Sequence, residues 1–239
     1  MTKPTIINAQ STDYAATGNT GVDRTFEDVV IPAEANTVII LAALTLAESS
    51  KTLTDLTFGN ASAIRTHLID VSADTFSRAT IAGVFDVSAA GAMTADVVAT
   101  LNSSGTGGAR CGVICSTGFV ESFTTTNHRS ATDCESITFS PNYAENIFTM
   151  IGSCHVDISD FTVTEGTLIF KGAQSDDHVG VYGVVQDTEI NTNQKKIGYT
   201  QTIEEHADLF VTLSSQKNAF ATSFEPVIRS IISHDVISQ

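Results

Sequence analysis

The clearest structural signal in this chain is the stretch Met93-Thr94-Ala95-Asp96-Val97-Val98-Ala99-Thr100-Leu101. Its odd-numbered residues are apolar, whereas Thr94, Asp96 and Thr100 are polar. A β-strand places alternate side chains on opposite faces, so the pattern predicts a strand with one dry face and one solvated face. The same period of two recurs along the chain and indicates a fold class rather than a chemistry.

Short segments rich in Val, Ile, Thr and Phe recur between turn signals, as is typical of pleated sheets. Helical periodicity does not persist, although we expect a turn near 157–161 and a short helix near 204–208. No repeat occurs at solenoid spacing. Many short strands predict an all-β chain, a two-sheet antiparallel β-sandwich that is jelly-roll-like. The predicted strands lie near residues 24–31, 37–46, 54–58, 63–71, 77–87, 93–101, 110–119, 135–140, 147–154, 167–171, 179–186, 196–203 and 209–214.

The chain has 239 residues, enough for one self-sufficient sandwich core. We predict an N-terminal arm at 1–22, a β-sandwich domain at 23–224 and a C-terminal segment at 225–239. Ile6 and Ile7 could form a short strand within the arm before the turn residues at 18–21. The apolar run at 227–232 could form a last strand, an amphipathic turn or a contact on a neighbouring copy.

The net charge of the chain indicates which classes of binding partner are unfavourable. Twelve Lys and Arg against 27 Asp and Glu give a formal net charge of −15. Such a surface repels phosphate backbones and anionic lipid, so it argues against nucleic-acid and membrane partners. The N-terminus lacks the apolar h-region of a secretory signal, and the longest apolar run, at 38–44, is too short to span a bilayer. We therefore expect a soluble protein made in the cytoplasm without a signal peptide.

The four cysteines fall into two pairs. Cys111 and Cys115 lie on a predicted strand, where four residues span roughly 13 Å, too far to share a zinc ion or a disulfide. We interpret them as buried small hydrophobes. Cys134 and Cys154 lie symmetrically about a turn centred on residue 144. A hairpin of 135–140 with 147–153 would make them cross-strand neighbours. His155 adjoins Cys154 but points to the opposite face, and a Cys-Cys-His metal site would need a fourth ligand from elsewhere.

Motifs for catalysis or cofactor binding are not found in the sequence. Gly-x-Ser-x-Gly, the nucleophile elbow of hydrolases, does not occur, and the glycine-rich segment at 105–108 lacks the Gly-Lys-Ser/Thr ending of a phosphate loop. Asp176-Asp177-His178 and Glu204-Glu205-His206 offer ligands for a hard cation, but adjacent exposed carboxylates are usually only solvated. We therefore predict no catalytic, cofactor-binding or metal residues and no cofactor.

The order of the segments resembles a loose pattern in β-sandwich proteins of tailed-bacteriophage virions, such as head-decoration, fibre or adsorption-related proteins. In that pattern an aliphatic strand is followed by a strand ending in an aromatic residue and Gly-Gly, then by an aliphatic strand and a Thr/Val strand. The last matching strand ends near a Gly-aromatic pair. The corresponding segments here are 37–46, 53–60 with Phe58-Gly59-Asn60, 81–91, 94–101 and 111–119 with Gly118-Phe119.

The resemblance covers about residues 23–224 and implies a virion protein with no catalytic residues. Our first hypothesis is a non-enzymatic virion structural protein, with other virion proteins as partners and a homo-oligomer, a trimer favoured. In it the arm, the apolar tail at 227–232, or both dock on a neighbouring copy or a capsid partner. The alternative is a carbohydrate-binding or adhesion module that recognises a host-surface glycan. The absence of Trp and the presence of only four Tyr weaken that alternative, because sugars stack on such rings. A hydrolase is the third hypothesis.

Overall fold

The computed structural model describes residues 3–13, 21–45, 52–59, 64–70, 78–105, 107–128, 137–139, 146–155, 158, 161–173, 179–186, 195–200 and 206–217. Every β-ladder among these residues is antiparallel, and the strands form four sheets. The predicted all-β antiparallel sandwich is therefore confirmed. The chain, however, builds a two-sheet sandwich twice.

The described residues of the first repeat form eight strands in two sheets. Its larger sheet has the order β1-β8-β3-β6-β5, and its smaller sheet has the order β2-β7-β4. This is a jelly-roll order in which the fifth strand pairs with the sixth. The strands are β1 (Ile6–Asp13), β2 (Asp23–Ile31), β3 (Thr37–Thr45), β4 (Leu53–Phe58), β5 (Ile64–Asp70), β6 (Arg78–Asp86), β7 (Met93–Leu101) and β8 (Ala109–Ser116).

The second repeat has the same topology, displaced by eight strands. Its larger sheet is β9-β16-β11-β14-β13, and its smaller sheet is β10-β15-β12. Each strand therefore has the neighbours of its counterpart in the first repeat. The strands are β9 (Phe119–His128), β10 (Ile137–Phe139), β11 (Ile147–His155), β12 (Thr162–Glu165), β13 (Thr167–Ala173), β14 (Val179–Gln186), β15 (Lys195–Thr200) and β16 (His206–Ser214).

The four sheets stack in the order small, large, large, small, with an apolar core between each pair. Strand β3 shows how a large sheet serves two cores. Its even-numbered residues, such as Ile40, pack in the outer core of the first repeat, and its odd-numbered ones, such as Leu41, pack in the middle core. Both faces are dry, so 38–44 is one continuous apolar run. The outer core of the second repeat lies on the far side of β11 and β14.

The two repeats meet level with each other. Strands β3 and β11 each have nine residues. Thr80 of β6 pairs with the seventh residue of β3, and Ser153 is the seventh residue of β11. The hydroxyl oxygens of Thr80 and Ser153 are 2.9 Å apart in a buried hydrogen bond between the repeats. β1 lies against β13, and β3 lies against β11. The repeats are thus related by an approximate two-fold axis that runs along the strands.

Only Thr117 and Gly118 separate the last strand of the first repeat from the first strand of the second. The Gly118 N–H donates to the Ser116 hydroxyl oxygen at 2.9 Å. A Cβ at Gly118 would lie 2.7 Å from Pro4 and 3.1 Å from Leu213, so both repeats close around this junction. The junction is short and tightly packed, unlike a flexible linker.

Most of the predicted strands are present, and β7 and β14 have the predicted bounds. β9 and β12 were not predicted, because their Ser, Thr and Glu residues give little apolar signal. Of the turn predicted near 157–161 the structure describes residues 158 and 161, and the Phe161 N–H donates a hydrogen bond to the Ile158 carbonyl, as a turn requires. The helix near 204–208 is wrong for the described residues 206–208, which begin β16.

Two further expectations need correction. Residues 6–13 of the predicted arm at 1–22 are not separate, because they form β1, which pairs with β8 of the same chain and lies at the edge of its sheet. The hairpin of 135–140 with 147–153 is wrong as well. β10 pairs with β15, whereas both sides of β11 are taken by β14 and β16. Cys134 and the apolar run at 227–232 lie outside the described residues. In the part of the chain that the structure describes, no helix is long and apolar enough to cross a membrane.

Candidate functional site

Four polar side chains meet inside the outer core of the second repeat. They are Tyr182 on β14, Tyr199 on β15, and His206 and Asp208 on β16. None is more than 2% exposed. A buried carboxylate is costly unless it is well hydrogen-bonded, so this polar cluster is the candidate functional site of the described residues.

The carboxylate of Asp208 accepts hydrogen bonds from both tyrosines. The Tyr182 hydroxyl donates to Oδ1 at 2.6 Å, and the Tyr199 hydroxyl donates to Oδ2 at 2.5 Å. These distances are typical of O–H···O⁻ bonds, which favours an ionised carboxylate. Tyr199 belongs to the small sheet and Asp208 to the large sheet, so the second bond ties the two sheets together.

The position of one proton follows from this arrangement. Tyr182 has a single hydroxyl hydrogen, which it donates to Asp208. Its oxygen also lies 3.1 Å from Nδ1 of His206. In that contact the oxygen must accept, so we assign a hydrogen to Nδ1 of His206. The hydrogen bonds then run from His206 through Tyr182 to Asp208.

Aromatic stacking and a glycine shape the space around the polar cluster. The ring of Phe161 stacks on Tyr182 and Tyr199, with centroids 4.2 and 4.9 Å apart. A Cβ at Gly152 would lie 2.1 Å from Asp208 Oδ1 and 2.5 Å from the Tyr182 ring. Only a glycine therefore leaves room for the carboxylate and the phenol side by side.

The first repeat shows that this fold does not require polar residues here. In each repeat the sixth residue of the central strand pairs with one residue on either side. In the first repeat these three paired residues are Ile81, Ala42 and Cys111, which we call the apolar row. In the second repeat they are Tyr182, Gly152 and Asp208, which we call the polar row. The apolar row lies wholly in the outer core of the first repeat.

The next row confirms the contrast. Leu44 pairs with Ala109 in the first repeat, and at the same level Cys154 pairs with His206 in the second. Leu44 and Ala109 belong to the apolar outer core. The polar residues are thus a property of the second repeat and not of the shared topology.

The polar cluster predicts an alkaline limit to stability. Burial, aided by the Asp208 charge, raises the pKa of Tyr182 well above its ordinary value of 10.0. Above pH 10 the unfolded chain loses this proton while the folded chain keeps it, so the free energy of unfolding falls as pH rises, by up to about 1.4 kcal/mol per pH unit. We expect Tyr182→Phe to flatten that fall in urea titrations between pH 9 and 11. An unchanged slope would contradict this assignment.

The cysteines are packing residues where the structure describes them. Cys111 and Cys115 share a face of β8 in the outer core of the first repeat, as interpreted from the sequence, and Cys154 is also buried. All three are free thiols. Burial raises the pKa of Cys115 to about 12, which suppresses its reactive thiolate.

We therefore expect these three thiols to resist iodoacetamide in the native protein and to react fully in denaturant. Peptide mass spectrometry reads each site separately, so the result does not depend on Cys134. Rapid native labelling of Cys115 would show that the outer core of the first repeat opens far more readily than its burial implies.

Of the other candidate ligands, Asp176, Asp177, His178, Glu204 and Glu205 lie outside the described residues, as does Cys134. His206 is inside the polar cluster, and His155 ends β11. Among the described residues no group of three or more His, Cys, Asp or Glu side chains could hold a metal ion.

Sequence reasoning missed Tyr182, Tyr199 and Asp208. The available signal was that His206 and Asp208 alternate in phase with the buried Phe210.

Comparison with known proteins adds no assignment: no family model, curated protein or solved structure matches this chain.

Proposed function

We propose that this chain is a non-enzymatic virion structural protein, a capsid-decoration, fibre or adsorption component. It acts by protein–protein assembly and by presenting surface. The proposal rests on the order of segments that resembles phage virion β-sandwiches. It locates the protein in the virion after synthesis in the host cytoplasm.

One observation supports this proposal over an enzyme. The polar cluster, the main concentration of ionisable side chains found inside the described structure, is enclosed on all sides. Asp208 is 1% exposed, and Phe161 stacks over both tyrosines. A substrate could reach the carboxylate only if the small sheet moved, whereas catalytic groups normally line an open pocket. The exposed loops and edges are the available working surfaces.

Assembly would use sheet edges rather than a free arm. β1 is paired with β8 of its own chain, so residues 6–13 are not a free arm. β1, β5, β9 and β13 end the two large sheets, each with one paired neighbour among the described strands. Their outward N–H and C=O groups suit pairing with another chain. A homo-oligomer, with a trimer favoured, and other virion proteins remain the proposed partners.

The test is incorporation into particles. We expect mass spectrometry to find the chain in virions banded on a density gradient from a lysate of the source culture. Its stoichiometry relative to the major capsid protein should be constant across the band. Recovery only in the soluble fraction would overturn the proposal. A glycan array with the purified chain tests the adhesion alternative, which predicts saturable binding to one class of glycan.

A further inference from the structure

The polar row needs an explanation beyond folding. Enclosing a carboxylate costs several kcal/mol before its hydrogen bonds offset that cost, and apolar residues of similar volume often serve stability as well or better. The apolar row fills the same position of the same topology with Ile81, Ala42 and Cys111. The second repeat therefore carries an ionisable group, Asp208, at the position where the first repeat folds with Cys111.

The placement of the polar cluster indicates what it controls. Asp208 and Tyr182 belong to the large sheet, whereas Tyr199 belongs to the small sheet β10-β15-β12. The bond from the Tyr199 hydroxyl to Asp208 Oδ2 therefore crosses the outer core. Its strength depends on the charge of the carboxylate, because charge-assisted bonds are about twice as strong as neutral ones.

We propose that Asp208 is an acid-sensitive latch, which holds the small sheet of the second repeat closed while it is ionised and loosens that sheet when it is protonated. A protonated carboxyl group accepts one or both phenol hydrogens more weakly. The hydrogen bond from Tyr199, which joins the small sheet to the large sheet, then weakens. The first repeat has the apolar row in place of this bond, so its small sheet stays closed.

The groups that face Asp208 are consistent with a local switch. Tyr182 faces it from β14, Tyr199 from β15 and His206 from its own strand, with the Cys154 thiol of β11 next to Tyr182. Of the residues between β11 and β12, the described ones that pack here are the apolar Ile158 and Phe161. Among these described neighbours Asp208 is the one carboxylate, so its protonation changes the charge of the cluster directly.

Hydrogen exchange read by mass spectrometry tests the latch in the intact chain. After correction for intrinsic exchange rates, we expect protection of β15 to fall about tenfold between pH 7.5 and the lowest pH at which the chain stays folded. Protection of β7, its counterpart in the first repeat, should not change. No change in β15, or an equal loss in β7 and β15, would overturn the proposal.

Three variants separate the latch from ordinary destabilisation. Asp208→Asn should make exchange in β15 fast at both pH values. Tyr199→Phe keeps the aromatic stack but removes the bond between sheets, so it should shrink the pH effect even if Asp208→Asn fails to fold. Thr149→Val removes a buried hydroxyl from β11, in the large sheet that also contains Asp208, and should keep the full pH effect. A full pH effect in Tyr199→Phe would overturn the latch.

Discussion

Gly152→Ala should lower the free energy of unfolding by about 3 kcal/mol, an overpacking cost combined with damage to the Tyr182–Asp208 hydrogen bond. The added Cβ would lie 2.1 Å from Asp208 Oδ1 and 2.5 Å from the Tyr182 ring. Both neighbours are enclosed, and Phe161 stacks against the phenol, so neither has space to retreat. Urea unfolding followed by circular dichroism measures the loss.

Two comparisons make this result specific. Gly21→Ala, where the nearest atom to the new Cβ is 3.6 Å away, should stay within about 0.5 kcal/mol of the parent. The triple change Gly152→Ala, Tyr182→Ile and Asp208→Cys installs the apolar row in the second repeat. It should recover most of the stability that Gly152→Ala removes. If the triple variant is no more stable than Gly152→Ala alone, the two rows are not equivalent.

The second large effect is expected where the repeats meet. Phe170 of β13 lies across from Gly183 of β14 and also reaches Gly112 of β8, in the first repeat. A Cβ at Gly183 would lie 2.4 Å from the Phe170 ring, and one at Gly112 would lie 2.8 Å from it. The ring therefore fills a slot made by two glycines, one from each repeat. Gly183→Ala should cost about 2–3 kcal/mol through overpacking.

A double-mutant cycle tests whether the ring is the cause. Phe170→Ala alone should cost about 3 kcal/mol, and in its presence Gly183→Ala should cost at least about 1 kcal/mol less than in the parent. The measurement is again the urea midpoint at constant m-value. Strictly additive costs would mean that the alanine at 183 clashes with something other than Phe170.

Period-two patterning predicted the strands well because it reports a local property. In β7 the apolar residues Met93, Val97, Ala99 and Leu101 are buried, as the alternation requires. The stacking of four sheets could not be predicted from this local pattern. The run at 38–44 has no alternation because β3 is buried on both faces, and this meaning emerges only once a second large sheet covers it.

The polar cluster escaped prediction for a different reason. The pattern at 204–208 predicts a short helix, and that interpretation does not use the period of two that places His206 and Asp208 on the same face of β16 as Phe210. The proposed Cys134–Cys154 hairpin relied on nearness in sequence. β11 instead pairs with β14 and β16, which follow it in the chain and enclose it on both sides. Long-range pairing of this kind leaves no local mark in the sequence.

The two-residue junction at Thr117–Gly118 bears on how such a chain could have arisen. An ancestor with a single repeat would have exposed the apolar face that now forms the middle core, and would have needed a second copy to cover it. Its folded population would then have depended on concentration. Joining two copies through so short a connection makes that encounter intramolecular, so each repeat always has its partner. In the joined chain the two repeats differ, and the buried carboxylate of the described residues, Asp208, lies in the second.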